Sequence, residues 1–331
     1  MPFIIVGAWR MAKRGTADLS VIIVNWNVRP LLERCLASVT ESAQRGGLNC
    51  ELIVVDNAST DGSPDMVRRL FPAVELICSD ANLGFARANN LGASRAGGRY
   101  LLFLNPDTEV VGDALPTMVA YMDQHPAVGL LGPKLLFPDG RVQPSRRRFP
   151  TLATAFLEST VVQQWFPQNR TLDRYYVRDR SDDVEQDVDW VVGACMLIRR
   201  EAWDEIGPLD ERFFMYSEEL DWCRRLKSAG WRVVYLPSAT VVHYEGQSSA
   251  QVVPARHIYF QSSKVLYFRK HHGPWAGGAL RVFLLATYVY QLCLEGLKWL
   301  LGHKRALRRE RIAAYLRVLR SGLSAQSEVR A

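Results

Sequence analysis

Residues 99–110 read RYLLFLNPDTEV. The apolar run Tyr100–Leu104 has the length and composition of a buried strand, and it stops at Asn105-Pro106-Asp107. Proline fixes φ and stiffens a turn. A carboxylate just beyond a strand end would stand on the rim of a sheet. Taken alone, Asn-Pro-Asp reads as a turn, so the segments around it decide whether it is more than that.

Upstream, LSVIIVNWN (19–27) is a β-branched run that predicts a buried strand, and Leu31, Leu32, Cys35, Leu36 and Val39 then recur at helical spacing. ELIVVD (51–56) is a second strand, closed by the turn cluster NASTDGS. A short helix at 66–71, a strand at 74–79 and a small-residue helix at 84–97 lead into Tyr100–Leu104. A helix at 113–125 and a strand at 128–133 follow. Alternation with short connections predicts a mostly parallel α/β sheet with helices on both faces. Ligands bind such sheets outside the carboxyl ends of the strands, where Asn25, Asp56 and Asp107 all fall.

Residues 137–187 are less regular and hold SRRRFP and the acidic RDRSDDVEQD. VDWVVGACMLIRR (188–200) returns to strand. SEELDWCRRLKSAG (217–230) reads as a helix with Ser217 as N-cap and Gly230 as stop. WRVVYLP (231–237) is a further strand, followed by TVVHYEGQSS. Helices are expected at 254–272 and 279–302.

The 331 residues are 48% hydrophobic, enough for one large domain with an appendage. Net charge is +7, but Arg269–Arg320 alone carries +9, which leaves the rest at −2. A nearly neutral body lacks the basic stripe of a nucleic-acid binder. The basic tail points instead to anionic lipid. The uncharged Val282–Leu294 is shorter than the ~20 residues of an independent span, so the expectation is a helix lying in the membrane interface, with a helix packed on the body or in a dimer as the alternative. Six scattered cysteines, five in or beside apolar runs, fit reduced core thiols in the cytoplasm. The N-terminal residues 1–18 read as a flexible extension without the shape of a signal peptide.

No G-x-G-x-x-G follows the first strand and no P-loop is present. A phosphate at this rim would need another neutralising agent, and a divalent cation held by oxygen ligands would serve.

The segments VVDNASTDGS, NLGFARANNLG, FLNPD, VVGACMLIRR and LDERFFMYSEELDWCRRLKSAG occur in that order. Their order and spacing resemble the family 2 glycosyltransferases of GT-A fold, a Rossmann-like fold for nucleotide-diphospho-sugars. Within that family they resemble the bacterial rhamnosyltransferase-like branch that builds cell-surface polysaccharides. The resemblance covers roughly 19–272. It implies a catalytic region over 19–250, with a donor half (19–135) and an acceptor half (136–250), and a helical basic region over 251–331.

It further implies site residues. Asp56 and Asn25 would contact the nucleotide, with Asn82, Gly84 and Asn89 beside the donor; Asn89 could instead pack within its own helix. Asn-Pro-Asp stands at the family's metal-binding Asp-x-Asp, with Asn105 in place of the first aspartate and Asp107 as the main ligand to Mg²⁺ or Mn²⁺. His243 would lie near the metal and diphosphate. Glu219 is the expected general base, with Asp221 and Glu218 as rivals; a plain structural reading makes all three helix-start acids favoured by the macrodipole. Trp190, Gly193 and Ala194 would form the acceptor side.

The implied activity is a metal-dependent, inverting transfer of L-rhamnose from dTDP-rhamnose to a lipid-linked or polysaccharide acceptor, at the inner face of the cell membrane. Another UDP-, dTDP- or GDP-hexose as donor, or a non-catalytic nucleotide-sugar- or glycan-binding protein of this fold, are the alternatives. The oligomeric state is not readable from the sequence.

Overall fold

The computed structural model describes residues 17–245 and 253–324. Four parallel strands build its first half: β1 (Leu19–Asn25), β2 (Cys50–Asp56), β3 (Glu75–Cys78) and β4 (Tyr100–Leu104). The helices between them are α1 (Arg29–Arg45), α2 (Ser63–Leu70) and α3 (Gly84–Ala93). α3 ends four residues earlier than its composition suggests.

Then come β5 (Thr108–Val110), α4 (Ala114–Gln124) and β6 (Val128–Leu136). The irregular middle holds β7 (Arg146–Arg147), the short helices α5 (Leu152–Leu157), α6 (Val161–Trp165) and α7 (Arg170–Tyr175), and β8 (Gln186–Asp187). The segment expected as one strand over 188–200 is broken into β9 (Trp190–Val191) and β10 (Cys195–Arg199), with Val192–Ala194 left free at the rim. α8 (Arg200–Ile206), α9 (Glu218–Ser228) and the long β11 (Arg232–His243) complete the sheet region.

The main sheet runs β3-β2-β1-β4-β10-β6-β11-β5, with β8 on β11. β10 is antiparallel to both β4 and β6, β11 is parallel to β6, and β5 is antiparallel to β11. Strand alternation feeds two cores, one per face. On β1, Ile22 joins one core while Leu19, Val21 and Ile23 join the other; on β4, Leu101 and Phe103 oppose Tyr100, Leu102 and Leu104.

Three C-terminal helices follow: α10 (Val253–His272), α11 (Pro274–Leu300) and α12 (Arg305–Ser321). α10 belongs to the body. Lys270 ion-pairs with Asp210 and Asp221 at 2.7 Å each, and Ser263 Oγ donates to the Met215 carbonyl at 2.8 Å. α11 begins five residues before the expected start and runs for 27 residues, with mean hydropathy 1.3 over its most apolar window. By length and composition it could cross a membrane, which the uncharged Val282–Leu294 alone could not. Only 22% of that window is buried.

Two of the six cysteines, Cys78 and Cys293, are exposed; the other four are buried, and all six are free thiols. Most of the expected N-terminal extension (residues 1–16), and the GQSS of the 240–249 segment, lie outside the described residues.

Candidate active site

A cavity of about 920 Å³ opens along the carboxyl-terminal rim of the sheet and continues toward the C-terminal helices. Asn-Pro-Asp stands at one end of it. β4 ends at Leu104, and the Asn105 N–H donates to the Ala194 carbonyl at 2.9 Å, which ties the turn to the free stretch before β10. Thr108 Oγ1 donates to the Asn105 carbonyl at 2.7 Å, and β5 starts there.

His243, the last residue of β11, pairs in register with Thr108 and so reaches the same turn. Its Nδ1 lies 2.9 Å from Gln143 Oε1, and Gln143 Nε2 donates to Glu245 at 3.0 Å. The Glu245 carboxylate accepts, so the amide nitrogen faces it and the amide oxygen faces the histidine. Nδ1 therefore carries a proton, and in the neutral ring Nε2 is a lone pair. That lone pair stands 3.4 Å from Asp107 Oδ1 and 3.5 Å from Asn105 Nδ2. A carboxylate oxygen and an imidazole nitrogen this close can share one cation, and Asp107 and His243 are both under 8% exposed. The donor set suits a divalent ion that takes its remaining ligands from a bound phosphate. Among the described residues no third His, Cys, Asp or Glu completes a protein-only site.

The acids lie at the start of α9. Tyr216 and Ser217 both adopt left-handed backbone, φ +70° and +67°, at a cost of about 1–3 kcal/mol each. Such strain is stored where surrounding structure over-determines it. Here α10 does so, through Ser263 on Met215 and the Phe260 ring 5.6 Å from that of Tyr216. Ser217 holds the N-cap position but makes no side-chain cap bond, contrary to expectation; its left-handed φ replaces the extended one that capping needs. Gly230, φ +95°, follows the helix as expected.

The turn presents Glu218 and Glu219 to the cavity, each with a buried carboxylate oxygen that no protein group satisfies. Burial pushes Glu218 well above the ordinary glutamate value, and the neighbouring Glu219 charge adds to it. Burial also raises Glu219, but backbone N–H groups of Glu219, Leu220, Gly193 and Ser217 partly offset this. Both carboxyls are raised: the Glu219 charge adds to the burial of Glu218, while backbone N–H groups offset part of the burial of Glu219. Gly193 faces Glu219: a Cβ there would lie 3.8 Å from the carboxyl carbon.

Asp221 does not belong to the site. It is fully buried and points the other way, held by His271 and Lys270 at 2.7 Å and by Arg225 at 3.0 Å. Burial opposes its charge, but these cations outweigh burial and hold its carboxyl below the usual range. Two residues of helix turn it through about 200°, away from Glu219.

Other expected residues are also relocated. Asn25 and Asp56 sit opposite one another at the ends of β1 and β2 but one layer behind the wall. Asn25 Nδ2 donates to Asp56 at 2.9 Å and to Ser59 at 3.0 Å, and the Ser59 N–H donates to Asp56 at 2.8 Å. The wall itself carries Val24, Trp26 and Asn57. Asn89 donates to the Phe85 carbonyl at 2.9 Å and packs inside α3, away from the cavity. Gly84 and Asn82 do line it. The need for glycine at 84 (φ +78°) comes from the protein itself, since a Cβ would lie 2.4 Å from the Phe214 carbonyl oxygen.

Trp190 lines the cavity, but its Nε1 is spent on the Arg148 carbonyl at 3.0 Å and the residue is 7% exposed. Gly193 and Ala194 line it as expected. Missed altogether were Asn57, Arg147, Tyr175 and the α10 residue Lys264. Only the arginine run at 146–148 was a visible sequence signal.

With this geometry in place, comparison with known proteins adds the following. The family model described as "Glycosyl transferase family 2" matches residues 20–207. The chain is 33% identical over 273 residues to an N-acetylglucosaminyl-diphospho-decaprenol L-rhamnosyltransferase of Mycobacterium tuberculosis, covering 78% of this chain and 87% of that protein. It is 23% identical to the dTDP-rhamnosyl transferase RfbF of Shigella flexneri, over 78% and 82% of the two chains. The fold resembles that of the mannosyltransferase PcManGT of Pyrobaculum calidifontis, solved with GDP-Man and Mn²⁺: the TM-score is 0.55 at 17% identity, over 96% and 91% of the two chains.

Proposed function

The chain belongs to glycosyl transferase family 2, and from that premise we propose that it transfers L-rhamnose from dTDP-rhamnose to a lipid-linked acceptor in cell-surface glycan synthesis, with inversion. One observation carries the chemistry. A single cavity joins an Asp107–His243 pair that suits a diphosphate-bound cation to Glu219, a carboxylate with a free, buried oxygen. The names of the similar rhamnosyltransferases support the sugar and the acceptor class.

Glu219 accepts the proton of the acceptor hydroxyl, and the freed oxygen attacks the anomeric carbon of the donor. The bond to the diphosphate breaks with its electron pair on the leaving oxygen. A single displacement inverts the configuration. Burial keeps Glu219 basic enough for this role and favours the neutral form of Glu218 beside it. Gly193 leaves space for the acceptor against the base. Asp107 and His243 would hold Mg²⁺ or Mn²⁺, which when bound neutralises the charge of the diphosphate. Gln143 and Glu245 fix the His243 ring in the ligating tautomer. Asn25 and Asp56 brace the wall at the ends of β1 and β2, where Asn57 in turn holds the start of α3 through the Gly84 carbonyl at 3.2 Å.

We place the enzyme on the cytoplasmic face of the membrane. α11 leaves Trp275, Val282, Leu297 and Leu300 exposed, Leu301 just after it is exposed too, and α12 adds the basic run that follows.

The test is nucleoside diphosphate release by the full chain from a panel of dTDP-, UDP- and GDP-sugars, with membrane lipid extract, with and without EDTA. Release from dTDP-rhamnose that needs lipid and is abolished by EDTA is the expected result. Release from a different donor would overturn the sugar assignment, and EDTA-insensitive release would overturn the metal.

A further inference from the structure

The run Arg146-Arg147-Arg148 lies on β7 and just after it, beside the cavity. Its outer members are matched by acids. Arg146 ion-pairs with Asp182, and Arg148 with Asp179 at 2.7 Å. Arg147 has no carboxylate partner among the described residues. Its Nη1 donates to the carbonyls of Pro144 and Arg146, at 2.7 and 3.0 Å, and the guanidinium also hydrogen-bonds the Tyr175 side chain, so all its bonding partners are neutral.

Arg147 lines the cavity, with the rings of Tyr176, Tyr175 and Trp190 at 4.5, 5.9 and 6.0 Å from its guanidinium carbon. The acid that acts on it electrostatically, Glu158, is committed to Lys264 at 2.7 Å. Burial pushes the Arg147 guanidinium below its usual value. A half-buried cation whose nearest acid is already paired with a lysine is costly. Aromatic faces relieve part of that cost, and an anion entering the cavity would relieve the rest.

Position says which anion. Arg147 pairs in register with Trp190, while Ala194, four residues further along the same stretch, bonds Asn105 at the metal-facing turn. Gly193 and Glu219 lie between. Arg147 is thus on the acceptor side of the base. Beyond it the cavity wall is Phe260, Tyr267, Phe268 and Tyr288 of α10 and α11, and α11 carries the exposed apolar surface.

We propose that Arg147 binds the diphosphate of a prenyl-diphosphate-linked acceptor, whose sugar then reaches Glu219 while its chain runs out between α10 and α11. This rests on the lipid-linked reading above and adds the residue that recognises the acceptor's charge. A guanidinium fork suits a diphosphate, since it offers several donors in one plane.

The probe is farnesyl diphosphate, titrated calorimetrically into the full chain in detergent with the donor site saturated by dTDP and Mg²⁺. Farnesol is the uncharged control. Binding of farnesyl diphosphate but not farnesol is expected, weakened about tenfold or more in Arg147→Gln and partly restored in Arg147→Lys, with dTDP affinity unchanged in both variants as the check on folding. In the transfer assay, Arg147→Gln should raise KM for the lipid acceptor far more than it lowers kcat. Equal binding to wild type and Arg147→Gln, equal binding of farnesol, or loss of farnesyl diphosphate binding when dTDP is added would each overturn the proposal. So would the absence of farnesyl diphosphate binding to wild type. Dependence of dTDP-rhamnose turnover on lipid, measured separately, tells failure of this inference from failure of the broader reading.

Discussion

The two halves of the cavity differ in how completely the protein satisfies itself. On the side of β1, β2 and β4, polar side chains are bonded to one another: Asn25 to Asp56, Ser59 to both, Gln143 to His243. On the side of α9 and α10, Glu218, Glu219, Gln261, Ser262 and Tyr267 each keep a buried polar atom without a partner, and Arg147 has no carboxylate partner among the described residues. Buried polar atoms are normally paired. On the donor side Asn25 Oδ1 is one such unpartnered atom, set behind the cavity wall, against five on the acceptor side, so the acceptor side holds more of the groups that a ligand could satisfy.

The sharpest test of that contrast compares acids two residues apart. Glu219→Gln should cut kcat by about 10²–10⁴-fold, the usual contribution of a general base, with donor affinity intact by calorimetry. Asp221→Asn should instead act on stability. Removing one member of a buried ion-pair cluster costs about 3–5 kcal/mol, to be read from thermal unfolding. A loss of turnover in Asp221→Asn without destabilisation would erase the distinction.

On the donor side, Asp107→Ala should lower turnover by about 10²-fold or more if it is the main carboxylate ligand, and His243→Ala by less. Isothermal titration of dTDP with and without Mg²⁺ should show metal-enhanced binding in wild type that is lost in Asp107→Ala. Metal-independent binding in wild type would remove the role assigned to this pair.

The pH dependence separates the two glutamates. Because the Glu219 value is raised, the acid limb of kcat/KM should lie above the ordinary glutamate range. The sign for stability is opposite to the usual carboxylate case. Glu218 is raised in the folded state, so its contribution is present at low pH and is lost as pH rises through the folded value. Glu218→Gln, which cannot ionise, should be more stable than wild type at alkaline pH, with the difference closing as pH falls. Melting curves at pH 5 and pH 9 check this.

The smallest effect is expected at the surface. Leu300→Ser with Leu301→Ser should weaken sedimentation with anionic vesicles several-fold and leave turnover on a short soluble acceptor unchanged. Undiminished vesicle binding would move the membrane contact elsewhere.

Much of the donor side was legible because its signals are local. Continuous apolar runs with turn residues at their ends placed β1, β2 and β4 with little error, and the rim position of Asp107 follows from a strand that must stop. The antiparallel insertion of β10 between β4 and β6 was not legible, since register and direction depend on partners far along the chain. Nor was the role of α10: its composition suggested a tail helix, yet it braces the strained turn at Tyr216–Ser217 and lines the cavity with Lys264.

The sequence by itself determined the alternating α/β architecture, the carboxylate at the end of β4, and a cluster of acids at the start of α9. Only the tertiary structure separates the three acids. Glu218, Glu219 and Asp221 share one helix turn and one macrodipole, so nothing local ranks them. Burial beside Gly193 leaves Glu219 raised and facing the cavity with one oxygen unpartnered, while Lys270 and His271, some fifty residues away, hold Asp221. The charge state and reach of a side chain follow from what packs around it, and for these acids the deciding neighbours come from distant segments.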